Sequence, residues 1–198
     1  MKALLVLVYK GFSEIELSYP ISMFSIFGGV DYDIVGLRKE KYEGWAGAKI
    51  FPDKSLDEID PDEYEGLMLP GISPFSLEEF INNQVILSLI KKMKARGSLL
   101  AGICLTPLAM ANAGVLNGKT ITSDAPPESF KEFANIKISS DHVVRDEKII
   151  TAKGPAFSQF TQCIFEALGF FELSAKLGTF MEDVGKTKLT PAVNLDRV

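Results

Sequence analysis

Apolar positions along the chain follow two alternating rhythms. Short unbroken runs of branched residues and leucine, such as Ala3-Leu4-Leu5-Val6-Leu7-Val8, read as strands buried on both faces. Longer stretches in which apolar residues return every three or four positions read as amphipathic helices. The runs predict strands near residues 2–8, 32–37, 65–69, 98–103, 120–122 and 148–152, and helices near 14–27, 76–95, 106–114 and 156–169. Gly28-Gly29, Gly97, Gly114 and Gly169 stand just past the helical stretches, where a left-handed residue ends a helix. Strand and helix in alternation predict an α/β fold, a mostly parallel sheet sandwiched by helices. Val143-Val144-Arg145-Asp146-Glu147-Lys148-Ile149-Ile150 reads as a hairpin turning at Asp146-Glu147, which makes the sheet mixed.

A chain of 198 residues suits one compact domain, expected over 1–170. Residues 171–198 form a C-terminal extension: a helix over 172–184, then an extended tail through Thr190-Pro191-Ala192-Val193-Asn194. The amino-terminal apolar run passes straight into Tyr9-Lys10-Gly11 without a small-residue cleavage site, so it reads as a buried strand and not as a signal peptide. No stretch is long enough to span a bilayer, and a cytoplasmic location is expected.

The net charge of −5, with no run of like basic residues longer than Lys91-Lys92, leaves no footprint for a phosphate backbone and argues against nucleic acid as a partner. The two cysteines, Cys104 and Cys163, lie far apart, so neither a disulfide framework nor a zinc site is expected. Phosphate-binding glycine motifs are absent, and neither a cofactor nor a metal is implied.

The candidate chemistry centres on Gly102-Ile103-Cys104-Leu105-Thr106-Pro107, where an apolar strand runs directly into a helix. A side chain on such a turn stands above the carboxyl edge of the sheet, where open α/β folds place their ligands. Helix amides and dipole there would draw Cys104 toward thiolate. Two further strand-end loops converge on this edge: Leu69-Pro70-Gly71-Ile72, and the helix start carrying Glu14 and Glu16. Amides of Gly71 or Ile72, with that of Leu105, are candidates to hold an oxyanion, and either glutamate is within reach of the cysteine.

In these four pieces, Lys10-Gly11 with Glu16 four residues ahead of Pro20, Leu69-Pro70-Gly71, Gly102-Ile103-Cys104 and Thr151-Ala152-Lys153-Gly154-Pro155, the chain resembles the ThiJ/PfpI family over residues 2–170. The resemblance implies a flavodoxin-like fold of the class I glutamine-amidotransferase-like type and commonly a homodimer. It makes Cys104 the reactive cysteine, selects Glu16 over Glu14 as its hydrogen-bonding partner, and places the oxyanion loop on Gly71, with Ile72 where a second glycine is usual. Peptidase-like members carry histidine directly after the cysteine, where Leu105 stands. In the DJ-one branch a histidine follows the next strand, where Asp124 stands. Without either histidine, peptidase or glutaminase activity is not expected. The chain's one histidine, His142, falls on the hairpin, away from the elbow.

Two readings remain. In one, Cys104 is the nucleophile of a hydrolase or lyase acting on a small electrophile, a glyoxal-type carbonyl or an isocyanide, with Asp124 able to deliver a proton. In the other, the protein is a non-catalytic oxidative-stress sensor whose Cys104 meets an oxidant and is held as sulfinate by Glu16. Cys163 shares a helical face with Phe160 and Ile164 and reads as core. Trp45, flanked by Gly44 and by Ala46-Gly47, reads as a pocket or hairpin residue.

Overall fold

The computed structural model describes residues 2–133 and 135–186. In chain order the elements are β1 (Lys2–Val8), α1 (Glu14–Phe27), β2 (Tyr32–Gly36), β3 (Tyr42–Glu43), β4 (Lys49–Ile50), β5 (Lys54–Ser55), β6 (Tyr64–Leu69), α2 (Pro74–Ile81), α3 (Gln84–Ala95), β7 (Leu99–Ile103), α4 (Pro107–Asn112), β8 (Thr120–Ile121), β9 (Lys137–Ile138), β10 (Val143–Asp146), β11 (Ile149–Ala152), α5 (Phe157–Ala167) and α6 (Phe171–Lys186).

Seven strands form the central sheet in the order β10-β11-β7-β6-β1-β2-β5. All its pairings are parallel except β10 with β11, so the sheet is mixed and mostly parallel, as the alternation predicts. Leu4, Leu5, Val6, Leu7 and Val8 of β1 are completely buried, which accounts for a run with no polar alternation. The helices form two groups, α1 with α5 and α6, and α2 with α3 and α4, flanking the sheet. Gly28, Gly97, Gly114 and Gly169 all take positive φ at the ends of helical segments.

Three local features depart from the expectations. The single helix expected over 76–95 is two, because the Asn83 side chain accepts from the amides of Val85 and Ile86 and starts α3 afresh. The strand near 120–122 is only β8, which pairs in parallel with β9 in a separate two-stranded sheet. The hairpin between β10 and β11 turns one residue later than expected, through Glu147-Lys148, with Glu147 at a φ of 56°. A second hairpin, β3 with β4, carries Trp45 in the loop between its strands.

Helix α6 covers the expected 172–184 segment. It seats Leu177 in the core, sets Phe180 edge-on to Phe27 at 6.2 Å, and receives a hydrogen bond at Met181 Sδ from the Tyr19 hydroxyl at 2.9 Å. It therefore lies on α1 and α5. The tail expected through Thr190–Asn194 lies outside the described residues. Among those residues no helix is long and apolar enough to cross a membrane.

Candidate functional site

Cys104 joins β7 to the turn that opens α4, with a φ of 65°, a left-handed value that costs a non-glycine residue roughly 1–3 kcal/mol. Three hydrogen bonds hold it there. Its amide donates to the Ala152 carbonyl at 2.9 Å, and its carbonyl accepts from the Ser123 hydroxyl at 2.7 Å and the Asp124 amide at 3.0 Å. The strained backbone is thus tied to β11 and to the loop after β8, and the thiol projects above the sheet. Gly102 permits this tight junction, since a Cβ there would meet Met110 Sδ at 2.7 Å and Thr106 Oγ1 at 3.1 Å.

Glu16 enters from the first turn of α1. Pro20, four residues on, has no N–H to give the Glu16 carbonyl, so that carbonyl goes without its helical hydrogen bond. The Glu16 side chain is buried, and its Oε2 has no hydrogen-bond partner among the described residues. Burial pushes its carboxyl from 4.5 up to about 7, and Asp124 adds to the rise. The Ser13 hydroxyl and the Gly71 backbone act in the opposite sense without offsetting it.

Gly71 must be glycine for steric reasons. A Cβ there would stand 1.7 Å from Glu16 Oε2 and 2.8 Å from the Cys104 Cβ. The loop that carries it is zippered to the loop after β1: Ser13 N–H donates to the Gly71 carbonyl and Ser73 N–H to the Gly11 carbonyl, each at 2.8 Å, around a Phe12–Ile72 bridge. The buried Tyr9 hydroxyl donates to the Pro70 carbonyl and braces the same loop. Ile72 is itself buried, so its side chain, unlike a glycine, closes one wall of the site.

Asp124 completes the group. Its Oδ2 accepts from the Gly154 amide at 2.7 Å, which aims the carboxyl at the elbow. Burial pushes the Cys104 thiol from 9.0 up to about 12, with Glu16, Asp124 and a hydrogen bond from the thiol to Asp124 adding to the rise. Only the Leu105 amide, directed at the sulfur, lowers it. The expected drift toward thiolate is therefore not met. A helix terminus contributes about 0.3–1 kcal/mol, less than one pH unit, whereas burial moves a pKa by up to several. The resting site holds a thiol between two carboxyls.

Glu16, Ile72, Cys104, Leu105 and Asp124 line one cavity of about 780 Å³, a size that admits a small molecule. Its other walls, Ile15, Trp45, Pro74, Pro155 and Phe157 among them, are largely apolar. Glu14 also reaches this cavity, but its Oε1 is committed to the amides of Ala46 and Ala48, at 2.8 and 3.1 Å. His142 is exposed just before β10 and lines no part of the cavity. Cys163 is half-buried on α5, packed against the core. Ser13, Tyr9 and Gly154 were not singled out from the sequence as site residues, although Gly154 stands in one of the four pieces that carry the family resemblance. Among the described residues no group of acids, cysteines or histidine is arranged to hold a metal ion.

Comparison with known proteins bears on the family and the fold. The sequence profile of the DJ-1/PfpI family matches residues 1–167. An uncharacterized protein of Methanocaldococcus jannaschii is 32% identical over 160 residues, covering 80% of this chain and 77% of the relative. A deglycase of Thermococcus kodakarensis is 30% identical over 151 residues, covering 76% and 89%. The crystal structure of Drosophila melanogaster DJ-1beta, 25% identical, superposes with a TM-score of 0.80 over 91% of this chain and 97% of that one.

Proposed function

The chain belongs to the DJ-1/PfpI family, and from that premise we propose that it is a cysteine-dependent enzyme acting on compact dicarbonyls of the glyoxal type. The observation that carries this reading is the thiol of Cys104 set between two carboxyls, Glu16 and Asp124, in one largely apolar cavity. No histidine stands beside the thiol, and the proton transfers fall to the carboxyls.

Addition of a thiol to an aldehyde suits this arrangement. The sulfur bonds to the aldehyde carbon as the S–H proton passes to Asp124, which already accepts a hydrogen bond from it. The carbonyl electron pair moves to oxygen, which takes a proton from Glu16, a group half-protonated near neutrality because burial raises it to about 7. The amides of the Gly71-Ile72 turn and of Leu105 supply further donors to that oxygen. The product is a hemithioacetal, and the proton gained by Asp124 returns to solvent.

Glu16, left ionised, then removes the carbon-bound proton of the hemithioacetal. Returning it to the neighbouring carbon, as the hydroxyl proton of the adduct passes to that carbon's carbonyl oxygen, converts the adduct into the isomeric 2-hydroxy thioester, and Glu16 regains its own proton from solvent. Water hydrolyses the thioester, releasing a 2-hydroxy acid and restoring the thiol. Oxidation of one carbon is balanced by reduction of its neighbour, so no external oxidant is needed. The deglycase among the relatives is in keeping with a carbonyl-directed cysteine.

The test is to supply a panel of small dicarbonyls and isocyanides and to follow carbonyl loss, 2-hydroxy acid formation and the mass of the Cys104 peptide in quenched samples. Acid formation together with a substrate-derived adduct on Cys104 is the expected result. Turnover of isocyanides alone, to formamides, would reassign the substrate, and no product from any member would end the enzyme reading.

One observation favours a second reading, in which Cys104 is an oxidation sensor. The unpartnered Oε2 of Glu16 is a buried hydrogen-bonding position free to meet an oxygen added to the sulfur. Mild peroxide would then add two oxygens to Cys104 while sparing Cys163; equal oxidation of both excludes it. By the family's habit we also propose a homodimer, to be read from solution mass.

A further inference from the structure

A second cavity, of about 620 Å³, lies on the other side of Trp45 from the reactive one, between the loop after β1, the β2–β3 loop and the start of α2. Trp45 lines both cavities. Nothing in the addition chemistry uses it, yet this residue, the chain's one tryptophan, is 54% exposed at the tip of a hairpin with two-residue strands. Such a hairpin has little stability of its own, since isolated two-stranded pairs are marginal in water.

The hairpin is held from outside. Trp45 N–H donates to the Phe12 carbonyl at 2.8 Å, and Gly11 N–H to the Glu43 carbonyl at 2.8 Å. Glu14 Oε1 accepts from Ala46 and Ala48, the residues that follow Trp45 in the turn. Gly44 makes room for this clamp, because a Cβ there would stand 2.4 Å from Glu14 Oε1. The glutamate two residues before Glu16 is thus spent on holding the indole at the boundary between two spaces, one containing the thiol and one lined by Tyr42, Phe75 and the cations Lys10, Arg38 and Lys41.

We propose that Trp45 is the specificity-determining wall of the reactive cavity, positioned by Glu14, which restricts Cys104 to compact electrophiles by closing off the second cavity. The proposal rests on the reading of Cys104 as a nucleophile and extends it to substrate size. Without the indole the two cavities join, and an electrophile with a bulky substituent reaches the sulfur with that substituent lodged in the second space. Glu14 is a positioning residue: it acts only through the indole.

The experiment measures labelling of Cys104, site by site by mass spectrometry, with iodoacetamide and with the bulky N-(1-pyrenyl)maleimide, at one pH. Wild type is expected to exclude the pyrenyl reagent. Trp45→Ala raises its rate at least on the order of tenfold, the scale on which a pocket wall discriminates size, while the iodoacetamide rate changes less than about twofold. Trp45→Phe keeps the exclusion. Glu14→Ala raises the pyrenyl rate as Trp45→Ala does and shifts the tryptophan emission, whereas Glu14→Gln, whose amide oxygen still accepts from Ala46 and Ala48, restores both.

Equal pyrenyl labelling of wild type and Trp45→Ala overturns the proposal. A parallel rise with both reagents also overturns it, because the indole would then be a general shield. Since labelling needs no turnover, size exclusion without dicarbonyl turnover would fail only the enzyme reading, and turnover without size exclusion would fail only this one.

Discussion

Replacing Glu16 with glutamine should make the protein more stable, and increasingly so as pH rises. The carboxyl titrates at 4.5 when free and at about 7 when buried in the folded chain. Between those values the folded state holds a proton that the unfolded state has lost, so stability falls with rising pH. The contribution is fully present below 4.5 and is lost by the time pH passes about 7. At about 1.4 kcal/mol per pH unit, the loss amounts to about 3 kcal/mol. Glutamine keeps the shape and cannot ionise. Urea unfolding of wild type and Glu16→Gln, run in parallel from about pH 4 to about pH 8, should therefore show a free-energy difference that grows by about 3 kcal/mol in favour of the variant. Groups common to both proteins cancel in that difference, and the Cys104 thiol, raised above 9.0, does not titrate in the window. A difference constant to within about 0.5 kcal/mol across the range would refute the assignment of a raised, buried carboxyl to Glu16.

Three further outcomes follow from the same geometry. Asp124→Asn removes a charge and a hydrogen bond that hold the thiol protonated, so iodoacetamide should label Cys104 faster at mildly alkaline pH while dicarbonyl turnover drops by on the order of a hundredfold, the scale of a lost general base; faster labelling with undiminished turnover would remove Asp124 from the mechanism. In wild type, kcat/KM should fall as pH rises through about 7, because Glu16 must be protonated to supply the carbonyl oxygen, and a profile flat from about pH 6 to about pH 8 would exclude it as that acid. Gly71→Ala places a methyl 1.7 Å from Glu16 Oε2, so turnover should be lost and the Glu16 carboxyl displaced, visible as a shift in the pH profile; wild-type kinetics in this variant would mean the carboxyl does not lie against the loop.

Much of the fold was legible because its strands are buried on both faces. β1 and β7 are buried on both faces and show as unbroken apolar runs, and β6 departs from this only at the exposed Glu65. The boundary between α2 and α3 was missed because Asn82-Asn83 lies inside an otherwise helical period, and asparagine announces a cap only once its side chain is seen to accept two amides. β8 was placed as a strand correctly, yet its partner β9 lies beyond a long loop, and pairing over that distance leaves no local mark. In the site, Cys104 and the pair Glu14 and Glu16 were legible because strand-end loops of a parallel sheet converge on one edge, whereas the choice of Glu16 and the position of Asp124 came from the resemblance to the ThiJ/PfpI family. The raised thiol was not foreseen, since a strand-to-helix junction shows the helix terminus but not the depth of burial, which is the largest cause of the rise. The tie between Glu14 and the Trp45 hairpin was equally invisible, being a contact across 32 residues.

The central claim, that Cys104 is the reacting nucleophile, is tested most directly by comparing dicarbonyl turnover in Cys104→Ser and Cys163→Ser. Cys104 faces the carboxyl-lined cavity and Cys163 packs against the core on α5, so the two substitutions are chemically identical and differ only in place. The account predicts that Cys104→Ser abolishes turnover and that Cys163→Ser retains it. Turnover that survives in Cys104→Ser at the wild-type rate would contradict the account.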